Sequence, residues 1–93
     1  MSFNGLGKIM NTVFMLLAQF EEAIIPLGKV CDDYFGCSLR TAMNKAKAED
    51  LPIPTFKIGS SAKAPYYIHL NDLAEYIDAQ RAKAKEEWSR VNT

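Results

Sequence analysis

Ninety-three residues are enough for one domain with one hydrophobic core, and an apolar content of 48% excludes a disordered chain. The longest apolar run, residues 13–18, is too short to span a bilayer, and no small-residue cleavage site follows an apolar stretch; a cytoplasmic chain, nucleoid-associated when bound and without a membrane partner, is expected. The net charge of zero is unevenly spread: residues 1–37 carry two basic and four acidic groups, residues 38–67 five and two, and residues 68–93 four and five.

The middle third is therefore net positive, the distribution a phosphate-binding surface requires. In chain order, residues 1–10 contain Gly5 and Gly7 and show no periodicity, which predicts a loose leader. Asn11 or Thr12 can then cap a helix running to Phe20. That segment is apolar on nearly every side, so it is either deeply buried or shared with a partner. For so short a run a buried strand is the competing reading.

Pro26 stands at a favourable first helical position, and Leu27, Val30, Cys31, Tyr34 and Phe35 follow at spacings of three and four. Gly36 can close this helix with a positive φ, and Ser38 can cap the next. The second helix has Leu39, Ala42, Met43 and Ala46 on its apolar face. Two short amphipathic helices joined across residues 35–38 read as a helix-turn-helix, although an ordinary helical hairpin has the same pattern.

Leu51-Pro52-Ile53-Pro54 stops the second helix. Residues 55–58 and 65–70 alternate on either side of a small polar turn, which predicts a β-hairpin with a lysine at its tip. Asn71-Asp72 then caps a final helix with Leu73, Tyr76, Ile77, Ala84 and Trp88 on one stripe. The expected fold is α+β, mainly α: a winged helix-turn-helix with an N-terminal helix, a two-stranded hairpin wing and a C-terminal helix. Its domain occupies residues 11–81, after a leader over 1–10 and before a helical extension or tail over 82–93.

Three stretches carry a family resemblance: Ile25-Pro26-Leu27, the Asp33-Tyr34-Phe35-Gly36 turn, and the Lys63-Ala64-Pro65-Tyr66 return of the wing. From Met10 to about Arg81 the chain resembles the pyocin activator protein (PrtN) family. More distantly, residues 26–77 are similar to the excisionase and MerR-like winged-helix group. The resemblance implies a transcriptional activator of bacteriocin or prophage genes, acting at promoter-upstream double-stranded DNA and possessing RNA polymerase as a partner. An excisionase-like architectural factor that bends DNA, or an anti-repressor module that binds another regulator, is the alternative.

If the apolar face of the second helix is buried, Arg40, Thr41, Asn44, Lys45 and Lys47 face outward. Arg40 can donate two bonds to guanine, Asn44 can pair with adenine, and Thr41 can set a methyl against thymine. Lys45 and Lys47 suit phosphates. Ser38 can offer its backbone N–H to a phosphate besides capping the helix. On the wing, Lys57, Ser60, Ser61 and Lys63 are the phosphate candidates.

No glycine loop of the phosphate-cradling kind is present, and the chain has one histidine, His69, so neither catalysis nor a cofactor is expected. His69 reads as an exposed strand residue, Cys31 as a small buried group and Cys37 as a turn residue, with both thiols reduced and no metal bound. A single domain of this size has a modest footprint, so a homodimer or a cooperative pair on DNA is expected. Residues 13–20, or the tail with Trp88 and Val91, would form its contact.

Overall fold

The computed structural model describes residues 4–61 and 63–92, with side chains from residue 11 onward. The chain forms α1 (Asn4–Phe20), β1 (Ile24–Pro26), a 3-10 turn (Leu27–Lys29), α2 (Cys31–Phe35), α3 (Leu39–Lys47), β2 (Phe56–Lys57), β3 (Tyr66–His69) and α4 (Leu70–Asn92). This is a mainly helical α+β fold with a small antiparallel sheet.

Helix α1 begins seven residues before the expected cap at Asn11, so residues 4–10 are helical rather than a loose leader; residues 1–3 lie outside the described residues. Once the apolar segment 13–20 has formed a helix, each residue added at its end gains one hydrogen bond for one residue fixed. That gain carries the helix back through Gly7 and Gly5, each of which costs about 1 kcal/mol relative to alanine. The α1 helix packs along α4. The Thr12 hydroxyl donates to Asp78 Oδ1 at 2.7 Å and ties the two together.

Pro26 does not begin a helix. It ends β1, a strand absent from the sequence reading, and leads into the 3-10 turn. The expected helix over 26–35 is thus divided at Val30. A residue preceding proline is driven toward extended backbone, which places Ile25 in a strand rather than a helix. The sheet then has three strands in the order β1-β3-β2, all antiparallel, instead of a two-stranded hairpin. Ile25 pairs with Ile68, and neither exposes any surface; Phe56 pairs with Tyr67 on the other side of β3.

Around this pair the core collects Leu16, Leu27, Val30, Leu70, Leu73 and the small Ala42, Ala46 and Ala74. Two ring contacts close its edges, Phe20 with Tyr34 and Phe35 with Tyr76. Cys31 is buried and Cys37 half-buried, both as free thiols.

Strand β3 passes into α4 with no loop between them. The cap expected at Asn71-Asp72 lies two residues earlier, at His69, whose Nδ1 accepts the Asn71 N–H at 3.0 Å. An N-cap side chain makes the same bond to the second helical residue. His69 is thus half-buried and structural, not a free strand residue. Helix α4 continues through the tail to Asn92, and each described residue from Ala79 onward is exposed. Trp88 and Val91 continue α4's core stripe beyond the core, with Trp88 67% exposed. The outer side of α1 exposes Phe14 (62%), Met15 (74%) and Leu17.

Candidate nucleic-acid interface

The turn between α2 and α3 forms as its residues dictate. Gly36 adopts the left-handed conformation, φ 65° and ψ 30°, which only glycine takes without steric cost. The N–H groups of Gly36 and Cys37 both turn back to the Cys31 carbonyl. Ser38 then caps α3, its Oγ accepting the Thr41 N–H at 3.2 Å and donating to Thr41 Oγ1 at 3.1 Å.

The far end of α3 has a different stop from the one expected. Before Leu51-Pro52 is reached, Asp50 N–H bonds to Lys45 O at 2.8 Å and Glu49 N–H to Ala46 O at 3.1 Å. These are the paired bonds of a Schellman ending, with Glu49 in the left-handed position at φ 53°. Lys45 and Lys47 occupy the last turn, where cations complement the helix dipole.

Only Ala42 and Ala46 of α3 are buried. Leu39 and Met43, expected in the core, are 46% and 38% exposed. Alanine side chains let α3 approach the core closely, which leaves the longer side chains beside them at its margin. At about 100° per residue, three stripes follow from the buried alanines. Arg40 and Asn44 share the outward edge, Thr41 and Lys45 one flank, and Leu39, Met43 and Lys47 the other.

That third flank faces β2, β3 and the turn between them, the segment expected to form the wing. A groove of about 340 Å³ runs between them, and its lining includes Leu39, Met43, Lys47, Lys57, Lys63 and Tyr66. The groove brings together Lys47 of α3 with Lys57 and Lys63 of the hairpin, and none of its lining residues is acidic. Lys57 Nζ lies 4.8 Å from the centre of the Tyr66 ring, a cation–π arrangement that braces the lysine on its own hairpin.

At the wing tip, Gly59 has φ 97°, and Ser60, Ser61 and Lys63 are exposed. Ser61 Oγ accepts the Lys63 N–H at 3.2 Å, so this serine shapes the turn it was expected only to decorate. All of the expected contact residues are thus on the surface, with Lys57 half-buried. Arg40, Thr41, Asn44 and Lys45 lie together on α3, while Lys47 joins Lys57 and Lys63 at the groove. Ser60 and Ser61 remain apart at the tip.

The family model for pyocin activator protein PrtN matches residues 12–84, about four fifths of the sequence and the whole of the sheet and both short helices. The chain belongs to the PrtN family. Its family is thus one of regulatory activators and not of enzymes. No curated protein and no solved structure matches the chain. The PrtN match encloses α3, the wing and the groove, and stops before Trp88 and Val91. Among the described residues, no helix of this PrtN-family chain is long and apolar enough to cross a membrane.

Leu39 and Met43 are the surface residues that the sequence reading missed. Their spacing of four, beside Ala42 and Ala46, is the spacing of a core stripe. Side-chain size was the available signal: two alanines fill a close helix contact that two larger residues cannot share.

Proposed function

We propose that this chain is a sequence-specific DNA-binding transcriptional activator of pyocin-like bacteriocin or prophage genes. It works in the cytoplasm as a winged helix-turn-helix, with residues 11–81 as the DNA-binding unit. The N-terminal part of α3 enters the major groove, where Arg40 and Asn44 contact base edges and Lys45 contacts phosphate. The wing, with Lys57, Ser60, Ser61 and Lys63, follows the phosphate backbone.

The observation that carries this reading is the convergence of Lys47, Lys57 and Lys63 on one groove beside the Arg40–Asn44 edge. A solvated polar helix has no need of a cation-lined groove along its flank. Such a groove beside a base-reading edge fits a strand of duplex DNA, whose charge is regularly spaced. Membership of an activator family supports the same conclusion.

Activation adds two partners, RNA polymerase and a second copy of the chain. The second copy would cover the outer side of α1 and the α4 tail, where Phe14, Met15, Leu17, Trp88 and Val91 are exposed. Footprinting the purified protein across a pyocin or prophage promoter region tests the reading. The expected result is protection of two sites about 10 base pairs apart or a multiple of that. Absence of protection at protein concentrations that saturate random DNA refutes it.

A further inference from the structure

We infer that the wing-facing flank of α3 reads thymine: Leu39 and Met43 meet C5-methyl groups of the strand seated in the groove. This rests on the DNA-binding reading above and adds a specificity-determining pair to it. Two large apolar side chains stand exposed on a helix whose other exposed positions are mostly polar or charged. They are one turn apart, on the same flank, and both line the groove together with Lys47, Lys57 and Lys63. Apolar and cationic side chains lining one groove fit a ligand that is anionic and also carries small apolar groups.

Duplex DNA has that chemistry, because thymine alone among its bases presents a methyl group in the major groove. The same flank discriminates against RNA. Uracil lacks the methyl, and the deep, narrow major groove of A-form RNA does not admit a helix. Leu39 is held near the Gly28 backbone: a Cβ added there would lie 3.6 Å from Leu39 Cδ2, an ordinary contact. Met43 has a flexible thioether chain that adapts to the position of the methyl.

The experiment uses the full-length chain and random 30-base-pair duplexes, enriched by retention on the protein over several rounds. Each thymine of an enriched duplex is then replaced singly by deoxyuridine, and binding is measured by fluorescence anisotropy at fixed salt. At one or two positions the wild-type chain should bind about fourfold more weakly, the value of one lost methyl contact. Met43→Gln or Leu39→Asn should bind the thymine and deoxyuridine duplexes equally at one of those positions. Indifference of the wild-type chain to deoxyuridine at every position overturns the inference while leaving DNA binding intact. So does an undiminished deoxyuridine penalty in both variants. Failure to enrich any duplex over scrambled competitor refutes the DNA-binding reading, and this inference with it. If one variant does not fold, the deoxyuridine series on the other decides.

Discussion

The left-handed residues on either side of α3 provide a matched pair of perturbations. Gly36 joins α2 to α3 at φ 65°, and Glu49 closes α3 at φ 53°. At Gly36 a Cβ would meet nothing within 4 Å, so Gly36→Ala carries no clash and reports backbone strain alone. That strain is about 1–2 kcal/mol for an L-residue in the left-handed region. Part is offset because alanine restricts the unfolded chain, by about 0.4–1 kcal/mol. A net loss near 1 kcal/mol lowers Tm by about 4–8 °C in a domain of this size.

Glu49→Gly reverses the same terms and should raise Tm by a similar amount. It also removes a negative charge from a helix C-terminus, where the dipole disfavours one. Circular dichroism melts of the two variants, recorded with wild type in one buffer, read both signs. A Gly36→Ala protein as stable as wild type, or a Glu49→Gly protein less stable, would refute the backbone reasoning. Gly28→Ala is the control, since Gly28 has no positive φ and its added Cβ finds only ordinary contact with Leu39.

Four other outcomes are expected. Arg40→Ala should weaken binding to an enriched duplex by about 1–3 kcal/mol while leaving binding to random DNA nearly unchanged, as competition titrations would show. Lys63→Ala should weaken all sequences alike and reduce the slope of log K against log salt by about 0.9, the contribution of one phosphate contact. Ile68→Ala, at the centre of the sheet, should cost about 2–5 kcal/mol in urea unfolding. His69→Ala should cost about 1 kcal/mol by removing the acceptor at the start of α4.

The turn joining α2 to α3 was legible in the sequence because its signals are local. Gly36 and Ser38 each act on backbone groups within a few residues, and each adopts the conformation its chemistry favours. The alternation in residues 65–70 likewise located β3, whose one face must be buried. Features that depend on distant partners were not legible. Strand β1 is three residues long and exists because Ile25 finds Ile68 more than forty positions away, so its proline resembled a helix start. The cap of α4 came from a histidine, which capping preferences do not favour, because β3 delivers the ring directly to the helix end. The exposure of Leu39 and Met43 was decided by how closely Ala42 and Ala46 let α3 approach the core.

The continuous passage from β3 into α4 makes the two a single lever. Its short arm is the strand that carries the wing, and its long arm is a 23-residue rod about 34 Å in length. With no loop at the fulcrum to absorb displacement, a tilt of about 5° at the wing becomes about 3 Å of travel at the far end of a rod that long. The direction of β3 therefore sets that of α4, and with it where Trp88 stands relative to the sheet.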